Sequence, residues 1–364
     1  MGQRDLHNEP FDESTLAKLG IFEDYAGVWI PTFVMSGYKS VYIFDFFAGP
    51  GFDTKGVPGS PIRFLNMINM HIGNILDKGV QVTIHLNEIN ARKYDLLANA
   101  GAAYLAANPD VARAVKLKLY CEDFETLFPK LLPFIAEQPS LVFLDQNGVR
   151  FLSPRYLEKL EGMRQTDFLC FLSASYLWRF GEIEEFKKHM DLDMDLLRRE
   201  GYKAAHRSVV KQLKDKLGPN TRLRLYPFSL QKGSNIYGLI FGASHRLAVE
   251  KFLDIAWTVN NINGEANFDI DDDVPKRQGN LFEANLTKIE AFEESLRNKV
   301  LTHEIRNNSQ AYDFCHSEGH PGKHASELLI RMKKAGEITF DGRSALVNYR
   351  QIYKNQRIME FVVV

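Results

Sequence analysis

Acidic residues stand just past four short hydrophobic runs in the first part of this chain. Asp45 ends VYIFD and is followed at once by Phe47, Ala48, Gly49 and Gly51 in FFAGPG; Asn87 and Glu88 close HLNE; Asp123 and Phe124 follow a run that ends at Tyr120; and Asp145 ends LVFLD, two residues before Asn147. Apolar runs of this length read as buried strands, and glycines beyond a strand let the backbone pass close beneath a ligand that a Cβ would keep away. That combination suits a nucleotide-like cofactor. An acid past the second strand accepts hydrogen bonds from both ribose hydroxyls of an adenosine group. Asp123 would take the adenine amine while Phe124 stacks on the ring, and Asp45 would hold the cofactor's own amine or orient the loop. At the fourth tip, Asp145 and Asn147 face the acceptor, as general base or as hydrogen-bond acceptors for a target nitrogen. A plain polar turn remains the other reading of each tip taken alone.

Strands and helices must alternate for these tips to share one edge. Ser14 to Phe33 carries Leu16, Leu19, Tyr25 and Trp29 at helical spacing and leads into the first strand. Further runs at Val80 to Leu86, Val115 to Tyr120, Leu141 to Asp145 and Phe168 to Leu172 are separated by helical patterns, which implies right-handed crossovers and a parallel sheet. Ser60-Pro61 marks a helix start, with serine as N-cap and proline in the first turn. The rhythm then changes: Arg222 to Leu230 and Asn235 to Ala243 are close enough to form an antiparallel hairpin. Parallel strands closed by a hairpin are the layout of class I S-adenosylmethionine-dependent methyltransferases, and dehydrogenases generally lack the hairpin. The expected fold is therefore α/β, a Rossmann-like class I methyltransferase sheet with a helical insertion and a C-terminal winged-helix-like unit. Its domains are expected at 1–265, with a basic helical insertion at 176–220; a linker and helix at 266–300; and a winged-helix-like unit at 301–364, built as helix, strand, turn at Asp341-Gly342, and strand.

At 364 residues, 45% hydrophobic, 25% charged and net charge −1, the chain is ordinary for a globular protein and is not a uniformly basic nucleic-acid binder. No stretch approaches the roughly 18 to 20 apolar residues of a membrane span, and the polar N-terminus has no signal-peptide core, so no membrane association and a cytoplasmic location are expected. Nucleic-acid contact must rest on patches. Arg199, Lys203, Arg207 and Lys211 recur every four residues, which on one helix stacks them along a face, and Lys323, Arg331, Lys333 and Lys334 give the C-terminal unit a second, milder basic surface. A merely solvated face fits both. His316, His320 and His324 with Cys315 suggest a metal site only superficially, because Gly319, Pro321 and Gly322 interrupt any helix carrying them, so no metal is expected.

The segments FDFFAGPG, GVPGSPIRFL, FLDQNG and SNIYGLIFGASHRLAVEKFLDIAW, with Lys18 ahead of Tyr25 and Trp29, resemble the three-Cys-motif partner protein family over most of residues 14 to 262. That family is a group of bacterial and phage methyltransferase-like proteins. The resemblance implies S-adenosylmethionine as cofactor, and a functional link to a three-cysteine, radical-SAM-like partner in nucleic-acid metabolism, in a context of DNA modification, repair or phage defence. Where family members usually show Asp-Pro, an aromatic and glycine, this chain has Asp145-Gln146-Asn147-Gly148. Three readings stand: a methyltransferase-like protein acting on or recruited to nucleic acid (DNA or RNA), an inactive scaffold serving as a docking or regulatory subunit, and a small-molecule methyltransferase.

Overall fold

The computed structural model describes residues 10–145, 154–163, 165–184, 192–218, 220–274 and 286–364. The chain divides into two compact units, Met1–His245 and Arg246–Val364. Among the described residues no helix is long and apolar enough to cross a membrane.

The first unit is a seven-stranded sheet of order β3-β2-β1-β4-β5-β7-β6. Its strands are β1 (Ser40–Asp45), β2 (Gln81–Asn87), β3 (Val115–Tyr120), β4 (Ser140–Leu144), β5 (Thr166–Ser173), β6 (Arg224–Lys232) and β7 (Asn235–Ala243). β1 to β5 are mutually parallel, and β7 lies antiparallel between β5 and β6. Parallel strands covered on both faces must be apolar throughout, which is why Val41, Ile43, Phe44, Val82, Ile84, Leu141, Val142 and Phe143 are all at 0% exposure. The hairpin turn is tighter than its sequence suggests. Gln231 and Lys232 stay in the ladder, leaving Gly233 and Ser234 as the turn, with Gly233 at φ 54°.

Among the described residues, α1 (Glu13–Val34) leads into the sheet, α2 (Ser60–Met70), α3 (Ile72–Lys78), α4 (Ala91–Ala107), α5 (Pro109–Ala114), α6 (Phe124–Glu137) and α7 (Pro154–Glu161) lie between the strands up to β5, and α8 (Ala174–Phe180) follows it. The lead-in helix α1 starts on Asp12, whose side chain accepts from Thr15 N at 2.8 Å. It is locked to the sheet by Phe22, stacked on Phe143 at 3.9 Å, and by Tyr25, whose hydroxyl donates to Asp167 at 2.8 Å.

The basic insertion does not form the single helix its four-residue charge spacing suggests. Gly201, at φ 89°, ends α9 (Met194–Glu200); a 3-10 turn, Tyr202–Ala204, follows; and α10 (Ala205–Leu217) begins only then. A glycine at positive φ and extended ψ stops the helical ladder after one short helix and resets the facing of the next. Arg199 therefore sits on α9 and Lys203 in the turn, and only Arg207 and Lys211 share a helix.

The second unit contains α11 (Arg246–Val259), α12 (Lys288–Leu301), α13 (Asn308–Ser317), α14 (Gly322–Lys334) and a two-stranded ribbon of β8 (Ile338–Thr339) and β9 (Val362–Val363). α12 opens with a capping box between Thr287 and Glu290, and its Phe292, Leu296 and Val300 join Tyr312, Cys315, Leu329, Ile338 and Phe361 in one core. Three helices followed by a ribbon are a winged-helix order. The ribbon's second strand, however, is not the segment after Asp341-Gly342. That segment turns away with Leu346 at φ 53°, and Val347 packs so closely on Gly322 that a Cβ there would meet its carbonyl oxygen at 2.1 Å. The end of the chain takes the place beside β8 instead.

Candidate functional site

β1 and β4 are neighbours, yet the chain leaves β1 towards β2 and β3 before returning to β4, so the strand order reverses between them. At such a switch point two loops diverge beyond the carboxyl ends and open a crevice. Asp45, Glu88 and Asp145 follow the adjacent parallel strands β1, β2 and β4, and Asp123 follows β3, so the four acids lie along one edge of the sheet.

The loop after β1 is fixed from below. Asp45 is 1% exposed; its Oδ1 accepts from Phe47 N at 3.1 Å and its Oδ2 from the Ser60 hydroxyl at 2.6 Å. With both oxygens engaged, its carboxyl organises the loop. Burial, followed by the Asp145 charge, raises its pKa to about 7 against the hydrogen bonds and Lys18, which pull it down. Ser60 is not the N-cap of α2. Gly59 holds that place without a side-chain bond, and Ser60 uses its hydroxyl on Asp45. Gly49 and Gly51 have φ of 65° and 91°, and a Cβ on Gly51 would stand 3.1 Å from that of Ala100. Phe47 lies over Phe124, ring centres 5.6 Å apart and planes 21° apart, while Ala48 N donates to Asn87 O at 2.9 Å.

Asn87, 3% exposed, ties three strand ends together. Its Nδ2 donates to Phe46 O at 3.2 Å and Glu122 O at 3.0 Å, and its Oδ1 accepts from Glu122 N at 3.1 Å. Glu88 uses Oε1 to accept from Asn90 N at 2.8 Å; Asn90 in turn caps α4. Its Oε2 has no hydrogen-bond partner among the described residues. Asp123 is exposed and caps α6, accepting from Glu125 N at 2.8 Å. Phe124 is 3% exposed among Phe46, Phe47 and Phe128, so its ring forms part of the aromatic floor under the loop.

At the fourth tip Asp145 is ion-paired with Lys18, which reaches it from α1 with its ammonium 4.4 Å from the centre of the Phe171 ring. The side chains are 8% and 23% exposed, so the pair is largely screened from water. Nothing local to Asp145 signals this partner, 127 residues earlier. Asn147, with Gln146, lies outside the described residues.

Of the other expected contact residues, those of the insertion lie on α9, the turn after it and α10, and Lys323 and Arg331 lie on α14. Lys211 stands 3.7 Å from Glu200, Lys323 3.7 Å from Glu327, and Arg331 2.5 Å from Glu293. In the second unit His320 and His324 meet Nδ1 to Nδ1 at 2.9 Å beside Trp257, and burial lowers both pKa values. Among the described residues no three His, Cys, Asp or Glu side chains converge as a metal site.

A family described as "GMT-like wHTH domain", a winged helix-turn-helix, matches residues 269–345. Among solved structures, the chain is similar to a fibrillarin/Nop5p complex (13% identity, 57% of this chain and 73% of that one, TM-score 0.30). It is similar also to a METTL16 MTase domain (10%, 60% and 66%, TM-score 0.32) and to the putative methyltransferase yhhF from Escherichia coli (12%, 65% and 90%, TM-score 0.29). No curated protein matches the chain. The strand order with its antiparallel β7 is the class I methyltransferase layout, so the molecule combines a methyltransferase-like α/β unit with a wHTH domain.

Proposed function

We propose that the first unit binds S-adenosylmethionine at the β1/β4 switch point and methylates a nucleic acid that the wHTH domain helps to engage. The observation that carries this is Glu88. It is 9% exposed, held in place by one oxygen, and has its other oxygen without a hydrogen-bond partner among the described residues, beside a loop whose glycines adopt positive φ. A screened carboxylate with spare acceptor capacity suits a ribose diol, because hydrogen bonds to a charged acceptor are about twice as strong as neutral ones. The residues present thus fit the adenosyl group: Gly49 and Gly51 admit it, Glu88 holds the ribose, Asp123 and Phe47 lie at the adenine end, and Asp45 keeps the loop in shape.

When bound, the cofactor supplies an electrophilic methyl group. The chain's own contribution is to orient and to handle protons. Asp145, next along the edge, presents its carboxylate towards an acceptor nitrogen, with Asn147 beside it in sequence, and the Lys18 ammonium fixes that carboxylate. Arg199, Lys203, Arg207 and Lys211 are the proposed phosphate contacts of the first unit. The radical-SAM-like three-cysteine partner and the defence context rest on the family resemblance alone.

The Lys18–Asp145 pair also favours a second reading, in which the acceptor place is filled from within and the unit is a scaffold that binds cofactor without turnover. Methyl transfer from labelled S-adenosylmethionine separates the two. The first reading expects label in DNA or RNA, lost in Asp145→Ala; label in neither, with cofactor still bound, overturns nucleic-acid methylation in favour of the scaffold or of a small-molecule acceptor.

A further inference from the structure

Within the second unit, cations are generally answered by acids. Lys288, Arg297 and Lys299 pair with Glu265, Glu337 and Glu304 at 2.7 to 2.8 Å. On α14, the helix that a winged helix ordinarily offers to a groove, Lys323 and Arg331 face Glu327 and Glu293 and the Lys333 ammonium turns back onto the carbonyls of Phe340 and Gly342, while Lys334, exposed at the helix end, has no side-chain ion pair or hydrogen bond among the described residues. An acid beside each paired cation offsets part of the local positive field that a phosphate would meet, although such exposed pairs are individually weak.

Beyond α14 the pattern reverses. Arg343, Arg350, Lys354 and Arg357 are all exposed, and none has a side-chain ion pair or hydrogen bond among the described residues. The backbone gathers them. Asn308 Nδ2 donates to Leu346 O at 3.2 Å and to Arg357 O at 2.9 Å, so the segments bearing Arg343 and Arg357 meet at one amide. Arg350 and Lys354 are the two ends of a single π-helical turn, Arg350–Lys354, pinned by buried Ile352, and Arg357 N closes back on Gln351 O at 2.9 Å. The acids nearest in sequence are Asp341 and Glu360, the latter 3.5 Å from the Asn307 amide. Three of the four cations lie beyond the 269–345 match.

We propose that this ridge, and not the cations of α14, is the phosphate-contacting surface of the C-terminal unit, taking the phosphodiester backbone of a nucleic-acid duplex. It deepens the nucleic-acid part of the proposed function and rests on it. Uncompensated cations repel one another on a free surface and become favourable where a polyanion sheds condensed counterions. Backbone contacts of this type carry no sequence information, so the ridge sets register and strength of docking while leaving target choice to the first unit.

Fluorescence anisotropy of the full chain on a short DNA duplex, and on an RNA duplex of the same sequence, across a salt series tests this. Changing Arg343, Arg350, Lys354 and Arg357 together to Gln is expected to lower the slope of log K against log salt by about 3 to 4 on DNA, at about 0.9 per phosphate contact. Each single change should lower it by about 0.9, so the result does not depend on the fourfold variant folding. Lys323→Gln with Arg331→Gln should leave it nearly unchanged. The duplex on which the loss appears identifies the nucleic acid. A full slope in the fourfold variant, with loss in the α14 variant, overturns the ridge while sparing the proposed function; no binding of the wild type to either duplex at low salt overturns both.

Discussion

Lys18→Met is expected to destabilise the first unit by about 2 to 4 kcal/mol at pH 8, because it keeps the side-chain volume but leaves the Asp145 carboxylate without its cation. The wild type has a pH dependence of its own against which this is read. Asp45 and Asp167 are both held at about 7, chiefly by burial, against an ordinary value of 3.8. A carboxyl whose folded pKa is raised binds more protons folded than unfolded. Its contribution is therefore fully present below the unfolded value and is lost as pH rises to the folded one, at about 1.4 kcal/mol per pH unit for each group between roughly 4 and 7. Lys18 lowers the Asp45 value and Asp145 raises it. Lys18→Met should accordingly carry the Asp45 loss to higher pH, and Asp145→Asn should bring it to lower pH, while Asp167 titrates unchanged in both. Urea unfolding of the three proteins from pH 5 to 9 measures this. Parallel shifts in the two variants would mean that Lys18 and Asp145 serve only packing.

Gly51→Val should cost about 2 to 4 kcal/mol and abolish cofactor binding, through two separate causes. At φ 91° a β-branched residue is strained, and its Cβ would press on Ala100 with Ile62 and Leu97 just behind. The neighbours belong to α2 and α4, which pack against the loop, so relief can come only by moving the loop itself. Gly56, also at positive φ but with open space around its Cβ position, is the control: Gly56→Ala should cost only the local backbone strain and leave binding intact. Thermal unfolding with and without S-adenosylhomocysteine reads both effects.

The strands were legible because burial on both faces forces unbroken apolar runs, and the tips were legible because a run must end in something polar. The hairpin was readable for the same reason, although its ladder extends further into the turn than composition suggests. What could not be read locally are the bonds made across the fold. Ser60 looks like a cap until Asp45 is seen to claim its hydroxyl; Lys18 shows only as part of a resemblance; and the stop at Gly201 that splits the basic stripe has the same residue type as many tolerated glycines. The C-terminal ribbon escaped because β9 is only two residues long and follows a segment with no strand pattern. Charge counts likewise mark Lys323 and Arg331 as available, whereas Glu327 and Glu293 sit against them.

The central claim is that Glu88 holds an adenosyl ribose over the β1 loop. Isothermal titration of the full chain with S-adenosylhomocysteine, wild type against Glu88→Ala, measures it most directly. One-to-one binding is predicted, weakened on the order of a hundredfold in the variant by loss of two charge-assisted hydrogen bonds, with the fold intact. Equal affinity in the two proteins, or no heat with the wild type, would contradict it.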